Sequence, residues 1–301
     1  MGAGPVDVRD SGLVATYTVP DGDGPHPGVV ALSGSGGGIP SWWGELLAPH
    51  GIAVLATAYF AAESLPPALC EIPIETVVRA ANWLQRRPEI RPGPVGVVGG
   101  SKGAELALLA ASTFPDPFGP VVAIAPQCVT WFGVDLTGSV PDASSRSSWT
   151  AAGRPVPFVP PVPGIDMERT ERGLRSVRVY AAALEQHREA VEAAAIPVEL
   201  AVGPLLLLSG GDDGACPSVE MGERIVARMR ANGRGDDVEH LVFPECGHVI
   251  VRPWPAGFVP DMPFDNGGTP AALDAAHEMA LPAVVRHLKR SPALRSIHTH
   301  A

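Results

Sequence analysis

The chain alternates short, nearly continuous apolar runs with longer segments in which apolar residues recur every three or four positions. The apolar runs predict buried β-strands, and the longer segments predict amphipathic helices with one face against a core. The predicted strands cover residues 27–33, 53–60, 94–99, 121–125, 205–209 and 238–243. The predicted helices cover residues 42–50, 74–84, 102–112, 179–194, 218–232 and 271–289.

This order of elements predicts a single α/β domain over residues 1–301, with a mostly parallel central sheet and helices on both faces. The stretch at about 128–203 interrupts the alternation, because it opens with a region rich in Ser, Pro and Gly. We expect this insertion to lie over one edge of the sheet as a cap. The tail after Pro292 is expected to fray.

Composition narrows the possible classes of protein. Of the 301 residues, 46% are hydrophobic and 18% charged, which excludes a wholly disordered chain. The 34 glycines and 33 prolines follow no repeat, so they indicate tight turns and long ordered loops and exclude collagen and solenoid arrays. The net charge of −10, without a basic stripe, argues against nucleic acid or an anionic membrane surface as a partner.

The sequence also carries expectations about location. The first ten residues lack the apolar core of a signal peptide, and the longest uncharged apolar run, near 51–62, is too short to cross a bilayer. The four cysteines are widely scattered, without the spacing of a metal site: Cys70, Cys128, Cys216 and Cys246. We therefore expect free thiols in a reducing cytoplasm, and no metal or organic cofactor.

The segment Gly99-Gly-Ser-Lys-Gly103 fits the G-x-S-x-G pattern of a nucleophile elbow. Small residues are needed around the serine because the turn from strand to helix is so sharp that larger side chains would clash. The turn lifts the serine hydroxyl above the sheet, and the following helix N-terminus stabilises developing negative charge. An apolar strand leads into this segment and a helix-forming run leads out, so Ser101 is the predicted nucleophile.

A serine nucleophile needs a base, and His248 is the candidate among nine histidines. It follows the last predicted strand in the loop Phe243-Pro-Glu-Cys-Gly-His248. The other histidines lie upstream of the elbow, in predicted helices or strands, or in the tail. The position of His248 after the last strand is the one that the base of an α/β-hydrolase occupies.

The third member of a catalytic triad should be an acid after the preceding strand. Asp212 and Asp213 both follow the apolar run that begins at Leu205. One of the two could instead cap the helix that starts near Pro217, and we favour Asp213 as the triad acid. The chain order Ser101, Asp213, His248 is that of α/β-hydrolases.

An oxyanion hole requires backbone N–H groups aimed at the tetrahedral oxygen. The N–H of Lys102 is one expected donor, and that of Ser35 or Gly36 in the first glycine loop is the other. This loop could suggest phosphate binding, but it lacks the G-x-G-x-x-G spacing and the Walker lysine. The Lys102 side chain is interpreted either as a surface group or as the partner of Glu105, three residues further on.

The chain resembles the catalytic domain of the acyl-CoA thioesterase and bile acid-CoA:amino acid N-acyltransferase family. The similarity covers roughly residues 15–290, and the S-K-G-x-E-L signature after the elbow is its most specific part. The resembling phrases are Leu32-Ser-Gly-Ser-Gly-Gly-Gly38, Gly100-Ser-Lys-Gly-Ala-Glu-Leu-Ala-Leu108, Leu207-Leu-Ser-Gly-Gly-Asp-Asp213, Phe243-Pro-Glu-Cys-Gly-His-Val-Ile250 and His277-Glu-Met-Ala280.

The resemblance implies an α/β-hydrolase fold, a triad of Ser101, Asp213 and His248, and attack on an acyl thioester. The acyltransferase branch of the family is associated with a cysteine nucleophile, so a serine at position 101 favours hydrolysis. The chain departs from the family in two places. The family's N-terminal β-sandwich domain is expected to be absent, and the tryptophan usual shortly after the acidic pair is replaced around Cys216.

Four hypotheses about function follow. The leading one is a serine hydrolase of acyl thioesters, carried by coenzyme A or by an acyl carrier protein. The second is an acyltransferase, in which an amine or alcohol intercepts the same acyl-enzyme. The third is a carboxylesterase or dienelactone-type hydrolase. The fourth is a degenerate hydrolase used as a binding module, which we disfavour because every catalytic element is present.

Overall fold

The computed structural model describes residues 4–258, 260 and 262–290, and the tail expected to fray lies outside them. The strands are β1 (Val6–Val8), β2 (Val14–Thr18), β3 (Gly28–Leu32), β4 (Ala53–Ala58), β5 (Ile72–Pro73), β6 (Val95–Gly100), β7 (Phe118–Ile124), β8 (Trp149–Ala151), β9 (Arg154–Pro155), β10 (Glu168–Thr170), β11 (Gly173–Arg175), β12 (Leu205–Gly210) and β13 (Val238–Phe243). The helices are α1 (Trp42–Leu47), α2 (Glu75–Gln85), α3 (Lys102–Thr113), α4 (Val177–Gln186), α5 (Arg188–Ala193), α6 (Ser218–Ala231) and α7 (Pro270–Leu288).

The central sheet has eight strands in the order β1-β2-β4-β3-β6-β7-β12-β13. Strands β3, β4, β6, β7, β12 and β13 are parallel, and β1 and β2 add an antiparallel edge. The expected α/β-hydrolase architecture is confirmed. The antiparallel edge was not among the predicted strands, because its two short segments precede the regular alternation of strand and helix.

Alternate residues of the parallel strands pack on opposite faces of the sheet, as the period of a strand requires. Val30 and Val97 belong to the core on one face, which also receives residues of α2, α3 and the insertion. Val29 and Val98 belong to the core on the other face, with residues of α1 and α7. Because both faces are covered, the strands are apolar almost throughout.

Two helices are shorter than the sequence pattern predicts. Helix α1 ends at Leu47 and continues as a 3₁₀ turn over Ala48–His50, which Gly51 terminates at a φ of 75°. The helix predicted over 179–194 is two helices, α4 and α5, which meet at His187 with φ −101° and ψ 53°. A periodic apolar pattern cannot reveal one non-helical residue, so the sequence predicted a single helix where the structure has two.

The insertion between β7 and β12 contains β8 to β11 together with α4 and α5. Part of the insertion packs on the same face of the sheet as α2 and α3, where Trp131, Trp149 and Ile196 are almost fully buried. Among the described residues, no helix combines the length and apolarity needed to cross a membrane.

Candidate active site

Ser101 occupies a sharp turn between β6 and α3, with φ 54° and ψ −119°. A positive φ is unfavourable for a residue with a side chain, so surrounding contacts must hold the turn. The N–H of Ser101 donates to the carbonyl of Ile124 at 2.8 Å, and the Ser101 carbonyl accepts from the N–H of Ala104 at 2.9 Å. The backbone of Ser101 is therefore tied to both β7 and the first turn of α3.

The two outer glycines of the motif are required by close backbone approach. A Cβ atom on Gly99 would lie 2.2 Å from the carbonyl oxygen of Gly103, and one on Gly103 would lie 2.4 Å from that of Ser33. Both contacts involve backbone atoms, which cannot swing away as a side chain can. The structure thus gives the steric reason for small residues on either side of Ser101.

His248 is paired with a buried carboxylate. Its Nδ1 atom lies 3.0 Å and 2.9 Å from the two carboxyl oxygens of Asp213, whose exposed fraction is 6%. The backbone N–H of His248 donates to the carbonyl of Asn266 at 2.7 Å. A carboxylate can only accept, so Nδ1 carries the proton in this pair. The opposite ring nitrogen, Nε2, is left free to act as a base.

The electrostatics of the pair favour its charged forms. Burial alone would raise the pKa of Asp213, but the charge of His248 and hydrogen bonds from the His248 ring and the Cys216 N–H outweigh it and lower that pKa. Burial alone would lower the pKa of His248, but the charge and hydrogen bond of Asp213 outweigh it and raise that pKa. The carboxylate therefore stays ionised and stabilises an imidazolium when one forms.

The neighbouring acid, Asp212, points to different partners. Its Oδ1 atom lies 2.7 Å from Nη2 of Arg175, and its Oδ2 atom accepts the N–H of Gly268 at 2.8 Å. The Arg175 hydrogen bond is the main cause that lowers the pKa of Asp212. Of the two candidate acids, the structure thus brings Asp213 to the imidazole and places Asp212 against the insertion.

A thiol that the sequence did not single out for chemistry adjoins the pair. Sγ of Cys216 lies 3.7 Å from Oδ2 of Asp213 and 3.9 Å from Nδ1 of His248, and it accepts a hydrogen bond from Nε2 of Gln127 at 3.2 Å. Burial, followed by the charge of Asp213, raises the pKa of this thiol. Carboxylate, thiol and imidazole form a donor set that metals can use. The expected absence of a metal therefore stays a prediction.

Two of the three residues expected to supply oxyanion donors lie in the pocket with Ser101. Ser35 and Lys102 line the same pocket as Ser101 and His248, whereas Gly36 is solvent-exposed in the glycine loop. Lys102 is the first residue of α3, so its N–H is one of the helix N-terminal donors that lack a partner within the helix. The roles of these N–H groups remain predictions.

The side chain of Lys102 is buried, and the surface interpretation is wrong. Nζ lies 3.0 Å from Oε2 of Glu105, and it donates to the Phe132 carbonyl and the Ser148 hydroxyl at 3.1 Å and 2.9 Å. Oε1 of Glu105 accepts from the indole of Trp149 at 2.6 Å. Burial lowers the pKa of Lys102 and raises that of Glu105, and their mutual attraction offsets this only in part. The pair joins the helix behind Ser101 to the insertion.

The pocket beside Ser101 and His248 has a volume of about 110 Å³. Five apolar residues of the insertion and one of the loop before α7 line it: Val134, Leu136, Met167, Leu174, Tyr180 and Phe264. The proline-rich segment of the insertion from Pro155 to Pro163 does not contribute to this lining. The apolar character of a residue could not predict whether it lines the pocket, because the insertion contains many apolar residues.

A family model described as BAAT / Acyl-CoA thioester hydrolase C terminal matches residues 72–276. The chain is 32% identical over 282 residues to acyl-coenzyme A thioesterase 6 of Mus musculus, and the aligned region covers 90% of this chain and 61% of that protein. It is 33% identical over 249 residues to acyl-coenzyme A amino acid N-acyltransferase 1 of Mus musculus, and the aligned region covers 82% of this chain and 54% of that protein. The chain thus spans less than two thirds of the length of these relatives.

Solved structures share the fold at low sequence identity. A putative dienelactone hydrolase from Klebsiella pneumoniae matches with a TM-score of 0.58 and 14% identity, over 96% of this chain and 98% of that one. A thermostable carboxylesterase from a metagenomic library matches with a TM-score of 0.58 and 18% identity, over 97% of this chain and 91% of that one. At these identities the likeness concerns the fold alone.

Proposed function

The chain belongs to the family of BAAT/acyl-CoA thioester hydrolase C-terminal domains, and from that premise we propose that it hydrolyses acyl thioesters through an acyl-enzyme on Ser101. One observation carries this proposal. Ser101, in a strained turn, lines the same pocket as His248, whose Nδ1 atom is held by the buried carboxylate of Asp213. This arrangement suits a nucleophile, a base and a group that orients the base.

The reaction runs in two steps. Nε2 of His248 takes the proton of the Ser101 hydroxyl as Oγ attacks the thioester carbonyl, and the N–H of Lys102 together with that of Ser35 or Gly36 stabilises the oxyanion. The C–S bond breaks, and the thiolate leaves with the proton from His248. Water, deprotonated by His248, then attacks the acyl-enzyme, and the acid leaves as Ser101 is restored.

Hydrolysis is favoured over acyl transfer by the residue at position 101. The relatives include proteins named as thioesterases and others named as amino acid N-acyltransferases, so the family alone allows either outcome. The family resemblance associates transfer with a cysteine nucleophile, and this chain has serine. The leaving group bears on a different choice: a thiolate leaves more easily than an alkoxide, so a thioester needs less help from a general acid than an oxygen ester.

Mass spectrometry of the protein with a panel of acyl-CoA and acyl-carrier-protein thioesters tests the proposal. We expect an acyl adduct on Ser101 and release of free acid, with no adduct on the Ser101→Ala variant. Matched oxygen esters and added amino acids complete the panel. Faster turnover of the oxygen esters would favour a carboxylesterase, and N-acyl amino acids in place of free acid would favour a transferase.

A further inference from the structure

We infer that the pocket beside Ser101 is an acyl site of fixed size, which accepts short acyl groups of about two to five carbons. The inference rests on the proposed acyl-enzyme and names the class of acyl group that it carries. Two sets of observations support it. The first is the volume of the pocket, and the second is the way in which the surrounding structure holds its walls.

The volume limits the length of the acyl chain. The pocket measures about 110 Å³, whereas a dry apolar cavity of about 150 Å³ is known to hold one benzene molecule. An acyl chain of six or more carbons therefore exceeds the pocket. At the rim, Leu136 and Met167 are 54% and 46% exposed, so a longer chain would emerge against half-solvated side chains.

Ion pairs hold one wall, which consists of the hairpin β10–β11 and the loop before α7. Nη2 of Arg175 lies 2.7 Å from Oδ1 of Asp212, and Nη2 of Arg172 lies 3.0 Å from Oδ1 of Asp265. We call Arg172 and Arg175 the arginine clamp. The side chain of Asp265 is 3% exposed and that of Arg172 is 53% exposed, so solvent screens this pair in part.

Backbone hydrogen bonds join β11 at Leu174 to the loop segment that carries Phe264, and both residues line this wall. The N–H of Leu174 donates to the carbonyl of Pro263, and the N–H of Asp265 donates to the carbonyl of Leu174, both at 3.0 Å. These bonds and the arginine clamp each help to hold Leu174 against the pocket.

Aromatic packing holds another part of the pocket lining, at Tyr180. The ring of Tyr180 meets Trp131 edge-on, with centroids 4.8 Å apart, and stacks on Phe132 at 5.7 Å. Trp131 is fully buried, and the Phe132 carbonyl accepts a hydrogen bond from Nζ of Lys102. Because Tyr180 and Phe132 are half-buried and pack against the fully buried Trp131, this packing limits local expansion of the pocket. The pocket volume is thus a constraint on the substrate.

The inference predicts a specific dependence on chain length. Each added methylene should raise kcat/KM about fourfold while it fills the pocket. Once the pocket is full, further methylenes should lower kcat/KM, because they emerge at the rim against half-solvated side chains and lose conformational freedom without burying comparable apolar area. We expect the maximum at five carbons or fewer.

The test uses acyl-N-acetylcysteamine thioesters and p-nitrophenyl esters with acyl groups from two to fourteen carbons. A maximum at six or more carbons in both series would overturn the inference while leaving the proposed function intact. If only the p-nitrophenyl esters react, the thioesterase proposal fails, and the length profile of the esters still decides the pocket size.

Two variants test the wall that the hairpin β10–β11 forms. Leu174→Ala enlarges the pocket, and we expect the maximum to move to longer chains by about two carbons. Arg175→Met removes the Arg175 half of the arginine clamp and should broaden the profile towards longer chains. Arg169→Met, an exposed arginine on the same hairpin, is the control and should keep the wild-type profile. Unchanged profiles in both folded test variants would overturn the inference, and either one is informative if the other does not fold.

Discussion

The Nζ atom of Lys102 lies 3.0 Å from the Oε2 atom of Glu105, and the two side chains are 4% and 0% exposed. Removing one partner leaves a buried charge without compensation, so Lys102→Met and Glu105→Gln should each lower the free energy of unfolding by about 3–5 kcal/mol. The double variant should lose less than the sum of the two. Urea unfolding measures all three.

The exposed pair of Arg224 and Glu220 provides the control for this cycle. Nη2 of Arg224 lies 2.7 Å from Oε1 of Glu220, but the side chains of Arg224 and Glu220 are 42% and 49% exposed. Glu220→Gln should therefore cost at most about 0.5 kcal/mol. Equal losses at the buried and exposed pairs would show that burial does not set the strength of the Lys102–Glu105 interaction.

Replacement of the nucleophile should abolish turnover without unfolding the protein. In Ser101→Ala the lost hydroxyl removes the group that forms the acyl-enzyme, and kcat should fall by about 10⁴-fold or more. Thermal unfolding should be close to wild type, since only a hydroxyl is removed. A folded variant that retains a tenth of the activity would refute the assignment of Ser101.

The two adjacent acids should differ sharply. Asp213→Asn removes the charge that holds His248 and should lower kcat by about 10³–10⁴-fold. Asp212→Asn loses the ion pair with Arg175 but keeps an acceptor for Gly268, so a loss within about tenfold is expected. Steady-state kinetics of both variants measures the two losses. A larger loss in Asp212→Asn than in Asp213→Asn would make Asp212 the triad acid.

The pH dependence of kcat/KM should reflect the raised pKa of His248. The base must be neutral to accept a proton, so activity should rise with pH through a pKa above about 6.5, the ordinary value for histidine. In Asp213→Asn the residual activity should rise at a lower pH, because the carboxylate that raises this pKa is gone. An acidic limb at the same pH in both proteins would contradict the pairing.

The raised pKa of His248 also contributes to folding stability, with a definite sign. The contribution is fully present below the unfolded pKa of about 6.5 and is lost as the pH rises through the folded value. Urea unfolding at several pH values should show it, and a His248→Gln variant should lack it.

The elbow should distinguish between its glycines. Gly99→Ala places a Cβ atom 2.2 Å from a backbone oxygen, whereas Gly100→Ala places one 4.0 Å from its nearest neighbours. We expect Gly99→Ala to lose activity by at least about 100-fold, because the turn that presents Ser101 must shift. Gly100→Ala is the matched control. Comparable activity in the two variants would show that the close approach at Gly99 is not required.

The sequence determined much of the fold. It also identified the strands whose ends carry the candidate catalytic residues. Apolar runs that alternate with amphipathic helices fit few arrangements other than a parallel sheet covered on both faces. The glycines around Ser101 and the position of His248 after the last strand are local signals. They could be found without coordinates because sterics and chain order act over a few residues.

The tertiary structure decided what depends on the direction of a side chain and on distant partners. Asp212 and Asp213 are adjacent and chemically alike, but Asp213 meets His248, 35 residues away, and Asp212 meets Arg175, 37 residues away. Likewise, Lys102 is buried only because residues of the insertion close over it. Local patterns cannot specify these contacts, because they form only when segments far apart in the chain pack together.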